Sequence, residues 1–246
     1  MNKPGVIVIT GPTATGKTTI GALLAKSING EVVSADSMQI YKYMDIGTAK
    51  PSEDERQGVP HFMLDIVPPW EDYSAARYVE EAASCVDDII RRGKMPVIVG
   101  GTGLYIDSLI SGRSFSARGD DSLRRELDAE YENIGGEIML SRLREFDPQS
   151  AGKLHANDKK RILRAFESYM TTGETISQHD TETKSLQPRY DARKFALTFP
   201  DRAELYERIG RRVDTMLEKG LLREVRALLD MGVPPGCTSM QAIGYK

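Results

Sequence analysis

Eight residues near the N-terminus, GPTATGKT (11–18), have the types and spacing that hold phosphate. They fit G-x-x-x-x-G-K-[ST], with Gly11 and Gly16 as the glycines, followed by Lys17 and Thr18. In such a loop the backbone from Gly11 through Pro12, Thr13, Ala14, Thr15 and Gly16 curls into a nest for an anion at a helix N-terminus. Lys17 then reaches the outer phosphate, and the Thr18 hydroxyl binds a magnesium ion. The pattern selects a polyphosphate. It does not say what carries that polyphosphate.

Further along the chain, other residues can add chemistry to this anion site. Asp36, in SADSMQIY (34–41), follows an apolar run, where a carboxylate can ligate magnesium in a Walker-B manner, cap a helix (as Ser37 can instead), or play a catalytic role. In GGTGLY (100–105) two glycines permit close backbone approach, and Thr102 is either a helix N-cap or a reactive hydroxyl. Asp65, an acid inside the apolar stretch FMLDI, competes for the Walker-B role. Arg202, Arg208, Arg211 and Arg212 form a late cationic set. Arg208 and Arg212, four apart, share a helix face and can close over an anion. In KLHANDKKRILRAFESYM (153–170) five basic residues and one acid fall between 153 and 164. Asn157 or Asp158 is a cap, Ile162, Leu163, Phe166, Tyr169 and Met170 form an apolar face, and Lys160, Arg161 and Arg164 lie on or beside the other. That basic face is either solvated or a contact for a phosphate backbone.

The elements that must position these groups alternate. VIVIT (6–10), EVVSAD (31–36), FMLDIV (62–67) and MPVIVGG (95–101) read as strands, with helical periodicity from 17, over 74–92 and over 104–110. Such alternation predicts an α/β fold, a P-loop NTPase-like parallel sheet with flanking helices. The pattern changes at SGRSFSARGDD (111–121). Residues 122–180 are charged and helical, HDTETKSLQPRY (179–190) reads as a linker, and RKFALTF (193–199) returns to the sheet before helices at 201–219 and 221–231. The expected organisation is a core of residues 1–112 and 187–246 interrupted by a helical insertion domain, 113–186.

Composition narrows the function classes. A hydrophobic fraction of 40%, a charged fraction of 28% and a net charge of −3 describe an ordinary globular chain with no global basicity. Residues 1–112 carry 10 Lys and Arg against 14 Asp and Glu, and the remainder 23 against 22, so a polyanion needs a local patch. Cys85 and Cys237 form no CxxC or metal pattern and are expected as reduced cytoplasmic thiols. No apolar run reaches membrane-spanning length, and VIVIT is too short for a signal peptide.

Taken in order, GPTATGKT, SADSMQIYKYMDIGTAKP (34–51), VPHFMLDI (59–66), YSAARY (73–78), PVIVGGTGLYI (96–106), HANDKKRILRA (155–165) and QAIGYK (241–246) closely resemble the bacterial tRNA dimethylallyltransferase (tRNA isopentenyltransferase) family over essentially the whole chain. The phosphate loop is shared with many proteins; DSMQIYKYMDIGTAKP and GGTGLY downstream of it are specific. The resemblance implies transfer of a dimethylallyl group from its diphosphate to N6 of the adenosine on the 3′ side of the anticodon. It makes Asp36 the base, puts Thr102 near the reacting centre, and gives the diphosphate Lys17, the loop amides, Mg²⁺ on Thr18 and Arg212. It assigns tRNA contacts to Asp36, Ser37, Met38, Gln39 and Thr102, to Arg124, to Lys160, Arg161, Ile162, Leu163 and Arg164, and to Gln241, Ala242, Ile243, Gly244, Tyr245 and Lys246. The expected partners are tRNA and dimethylallyl diphosphate, with no membrane, for a cytoplasmic monomer. Two departures stand out. The family often has Gln or Arg at the position of Lys160, and its chains run on past GYK through a basic helical stretch, so the C-terminal part of the core is expected to be cut short. The rival class is a P-loop kinase or NTPase with 113–186 as its lid.

Overall fold

The computed structural model describes residues 3–113, 115, 121–185 and 187–246. The chain divides into two compact units, one made of the residues up to Gly112 together with Pro188–Lys246, the other of Arg113–Gln187.

The first unit is built on β-branched runs. β1 (Gly5–Thr10), β2 (Gly30–Ser34), β4 (Met95–Val99) and β5 (Asp191–Ala196) join a two-residue β3 (His61–Phe62) in one sheet of order β3-β2-β4-β1-β5. All its pairings are parallel. β1 lies between β4, with Ile7 opposite Val97 and Ile9 opposite Val99, and β5, with Val8 opposite Lys194. Val8, Val33, Val97 and Ile98 are wholly buried. Removing each such side chain from water contributes roughly 1.5–3 kcal/mol. Parallel strands need crossovers, here α1 (Lys17–Ser27), α2 (Ala75–Arg91) and α3 (Gly103–Ser111). Ser74 caps α2 by accepting from Arg77 N at 3.1 Å. All the strands therefore end on the same side, which puts the loops after Thr10, Ser34 and Val99 at one edge.

The third strand is shorter than the apolar run FMLDIV predicts. Met63 (φ 63°) and Asp65 (φ 55°) take left-handed conformations that end pairing after Phe62. The turn is fixed by side-chain and backbone bonds: Lys50 Nζ donates to Asp65 Oδ1 at 2.5 Å, and Asp65 N and Ile66 N donate to the carbonyls of Gln39 and Ile40. Val67 then rejoins Tyr41 through an isolated parallel bridge.

After β5, Asp201 caps α9 (Arg202–Lys219) by accepting from Ala203 N at 2.8 Å. Gly220, at φ 100°, ends that helix and opens α10 (Leu221–Asp230).

The second unit is helical: α4 (Asp121–Ile134), α5 (Gly136–Phe146), α6 (Pro148–Ala151), α7 (Lys159–Thr172) and α8 (Ile176–Ser185). Its core gathers Leu127, Met139, Leu140, Leu143, Ile162 and Leu163. α8 occupies most of the segment predicted as a linker. The signal was a capping box, since Thr175 N donates to Gln178 Oε1 while Gln178 N donates to Thr175 Oγ1. The expected apolar face of α7 is also only partly inward. Ile162 and Leu163 are buried, Tyr169 stacks on Phe146 with centroids 4.4 Å apart, and Met170 is exposed.

Candidate active site

The phosphate loop turns because three of its residues take conformations with positive φ. These are Gly11 (136°), Ala14 (65°) and Gly16 (82°). At Gly11 a Cβ would sit 2.2 Å from the Leu197 carbonyl oxygen, so this position accepts only glycine. Within the loop, Thr15 Oγ1 and Lys17 Nζ donate to the Pro12 carbonyl at 2.9 and 2.5 Å. The loop borders a cavity of about 650 Å³ at the carboxyl ends of the strands, in the first unit alone.

Three of the charged groups that line this cavity come from different elements. Asp36 follows β2, Lys17 opens α1, and Arg212 comes from the middle of α9. Burial lowers the pKa of Lys17, with Asp36 opposing and Arg212 adding to the shift. Burial likewise lowers that of Arg212, again opposed by Asp36. Both cations are thus held where their charge is poorly solvated, and an anion entering the cavity relieves that. Arg208, Arg211 and Thr215 line the cavity from the same stripe of α9. Arg208 is itself fixed, with Nε donating to the Ala14 carbonyl at 3.1 Å and its guanidinium over the Phe199 ring.

Of the jobs its position allowed, Asp36 is seen doing one, capping, and it does so at the cavity wall. Its Oδ1 accepts from Met38 N at 2.9 Å and Gln39 N at 3.4 Å, so it caps the 37–40 turn while its carboxyl lines the cavity. Thr102 stands one layer back from the cavity wall. It occupies the N-cap position of α3, yet its side chain does not cap that helix; Oγ1 accepts from Ser37 N at 3.0 Å instead. Gln39 lines the cavity and is tethered, its Nε2 donating to the Thr48 and Ala49 carbonyls and its Oε1 accepting from Ser34 Oγ. Asp65 is not in the cavity wall, and Lys50 holds its carboxylate. β4, after which an NTPase carries a catalytic acid, is followed by Gly100 and Gly101.

The IPP transferase family model matches residues 39–246. This chain belongs to the IPP transferase family. It is 48% identical to the tRNA dimethylallyltransferase of Acetivibrio thermocellus over 98% of this chain and 77% of that protein. It is 49% identical to tRNA dimethylallyltransferase 2 of Geotalea uraniireducens over 100% and 79%. Among solved structures, the full-length tRNA isopentenylpyrophosphate transferase of Bacillus halodurans aligns at TM-score 0.69 and 40% identity, covering 99% of this chain and 75% of that one. A eukaryotic dimethylallyltransferase caught acting on tRNA aligns at TM-score 0.81 and 32% identity, covering 98% and 61%. These likenesses agree with the predicted P-loop NTPase-like α/β fold.

Of the residues that the IPP transferase resemblance brought forward, Lys17, Asp36, Gln39, Arg212 and the loop from Gly11 to Thr18 come together, apart from Thr15, which braces the loop from inside. Ser37, Met38 and Thr102 stand behind them. In the second unit Arg124, Lys160 and Arg161 are exposed. Ile162 and Leu163, expected among the tRNA contacts, are core residues at 0% and 8% exposure and hold α7 in place. Arg164 pairs with the buried Glu167 at 3.0 Å. In QAIGYK, Ile243 is 98% exposed, Gln241 Nε2 donates to the Pro235 carbonyl, and Tyr245 is buried. Two side chains that no motif reading singled out, Lys50 and Glu224, organise the loop from 41 to 50. Lys50 Nζ donates to the Tyr41 carbonyl and to Asp45 and Asp65. Its place in DIGTAKP was the available signal, whereas Glu224 lies too far along the chain for any spacing to reveal it.

Proposed function

We propose that this chain transfers the dimethylallyl group from dimethylallyl diphosphate to N6 of the adenosine on the 3′ side of the anticodon in tRNA, releasing diphosphate. The observation that carries this reading is the single cavity in which an anion-holding loop, with Lys17 and Arg212, faces a carboxylate anchored by one oxygen. The C1–O bond of the donor breaks as the N6–C1 bond forms. The electron pair leaves on diphosphate, and the N6 proton passes to Asp36. Because the allylic carbon tolerates positive charge, the main demand is stabilisation of the departing anion, which the loop amides, Lys17 and Arg212 meet. A stacked adenine cannot reach such a cavity, so the base is flipped into it.

Thr18 lines the cavity at the start of α1, and no cluster of three acidic, histidine or cysteine ligands occurs among the described residues. The Thr18 hydroxyl would help hold a Mg²⁺ ion beside the diphosphate, and the ion would supply charge neutralisation to the leaving group. Arg124, Lys160, Arg161 and the exposed members of 241–246 are the expected tRNA contacts, and the insertion serves as the tRNA-binding domain. We take the enzyme to work as a cytoplasmic monomer; no helix among the described residues is long and apolar enough to cross a membrane. Incubating the protein with unmodified tRNA, Mg²⁺ and labelled donor, then analysing nucleosides, tests this reading. Labelled N6-dimethylallyladenosine supports it. ATP turnover without prenyl transfer overturns it in favour of an NTPase.

A further inference from the structure

Glu224, in the first turn of α10, commits its carboxylate to groups far away in the sequence. Oε2 accepts from Asp45 N at 2.9 Å and Ile46 N at 2.8 Å, and Oε1 accepts from Gly47 N at 3.1 Å and Tyr245 Oη at 2.5 Å. Three successive backbone amides converging on one carboxylate form an anion nest, and this one is filled by the protein itself. Glycine at 47 makes the closure possible, since a Cβ there would lie 2.4 Å from the Tyr245 ring. Tyr245 is 6% exposed. Burial first, and then Glu224, push its hydroxyl pKa well above the usual tyrosine value, so it stays a donor.

The nest continues into the cavity wall. Just past Gly47, the Thr48 and Ala49 carbonyls accept both bonds from the Gln39 amide, at 3.3 and 3.2 Å. Gln39 N in turn joins Met38 N on Asp36 Oδ1. A path of hydrogen bonds, joined by the backbone of 45–49 and by the Gln39 side chain, thus runs from Glu224 to Asp36. The phosphate loop is held by different contacts, namely Thr15 and Lys17 on Pro12 and Arg208 on Ala14.

We propose that Glu224 is a positioning residue for the nucleoside-accepting wall of the site: by clamping loop 45–47 and Tyr245 together it fixes Gln39 and Asp36 toward the acceptor base, and so governs use of tRNA and not of the prenyl diphosphate. The proposal rests on the prenyl-transfer reading above. Glu224 does not touch substrate. It acts because a shift of about 1 Å in a positioned group costs on the order of 100-fold in rate.

The test is steady-state transfer by the full chain, varying tRNA and donor separately, with donor binding and melting temperature measured on the same samples. For Glu224→Ala, kcat/KM for tRNA is expected to fall by about 10- to 100-fold while the donor dissociation constant stays within about two-fold. Glu224→Gln keeps the volume but turns an NH₂ toward two of the four donors, so its loss should come within a few-fold of that of Glu224→Ala. Tyr245→Phe removes one donor of four and should lose less than either. A donor dissociation constant weakened as much as kcat/KM for tRNA falls, or no loss at all, overturns the proposal. If Glu224→Ala does not fold, Glu224→Gln and Tyr245→Phe decide by the same split. Absence of transfer by the unmutated chain would instead sink the underlying reading.

Discussion

Lys17 and Arg212 both sit where burial disfavours their charge, with Asp36 supplying only part of the compensation. A diphosphate completes that compensation in the ground state as well as the transition state. Lys17→Ala is therefore expected to weaken donor binding and slow transfer together, with tRNA binding nearly unaffected. Normal donor affinity and rate in that variant would make the loop structural. Asp36→Ala should behave differently. Its carboxyl is the only acid in our account that receives the N6 proton, so turnover should drop by on the order of 100-fold or more. Part of that loss is positional, because Asp36 Oδ1 also holds the 37–40 turn. Asp36→Asn keeps an acceptor for Met38 N and removes the base. A turnover as low as that of Asp36→Ala, with donor affinity intact, would assign the loss to proton transfer. Loss of donor or metal binding with unaltered chemistry would assign it to a Walker-B role.

At the scale of elements, the site depends on how closely the ends of β2 and β4 approach. Gly100 N donates to the Ile9 carbonyl and Thr102 N to the Ala35 carbonyl, and a Cβ on Gly100 would lie 2.2 Å from the Ala35 oxygen. That contact is backbone against backbone, with no side chain able to give way. Gly100→Ala should cost at least about 2 kcal/mol and lower melting temperature and activity together, as overpacking does. At the other end of the same strands, Glu31 is buried and takes a two-point bond from Arg92 at 2.7 and 2.5 Å and a third from Lys94 at 2.6 Å. The Arg92 bonds hold its pKa down to about 2 from its ordinary 4.5, against the opposing effect of burial. The folded chain thus binds fewer protons than the unfolded chain between these values. This stabilisation is complete above about 4.5 and is lost as pH falls toward 2. Arg92→Ala should remove roughly 1–3 kcal/mol at neutral pH and flatten acid unfolding over that window, as measured by denaturant titration at several pH values.

For the molecule as a whole, the net charge of −3 leaves tRNA to be gathered by local cations. Within the second unit these divide into two kinds. Arg161 is exposed, and Arg161→Ala should weaken tRNA binding and lessen the slope of log K against log salt by about 0.9 if it meets duplex phosphate, with melting temperature unchanged. Arg164 is paired with Glu167, which is almost wholly buried, so Arg164→Ala strands a carboxylate and should lower the melting temperature by several degrees. An unaltered salt slope in Arg161→Ala would return α7 to a merely solvated face, and an unaltered melting temperature in Arg164→Ala would show that the Glu167 pair contributes nothing.

Local signals were enough wherever the chain's own neighbours decide its conformation. The β-branched runs of β1, β2 and β4 declared themselves because parallel strands are apolar on both faces. The phosphate loop declared itself because its glycine, lysine and threonine spacing is local, with two of its three positive-φ positions held by glycine, and Ser74 and Gly220 marked helix ends by chemistry confined to one turn. The same reading failed where distant residues supplied the decisive partner. FMLDIV is apolar enough for a strand, yet Lys50 draws Asp65 out of register. In KRILR the periodicity correctly turned Ile162 and Leu163 inward, and it was the resemblance that listed them among tRNA contacts. Thr102 has the position of a cap, yet it serves Ser37, 65 residues away. Asp36, Lys17 and Arg212 were each visible as charged residues, but only the folded sheet brings them to one cavity. Glu224 shows the limit most plainly, since three amides 177 to 179 residues earlier in the chain give it its role. Periodicity and turn chemistry act over a few residues and are written in the sequence. Which carboxylate meets which amide depends on closing loops of more than a hundred residues, and that is settled only when the chain packs.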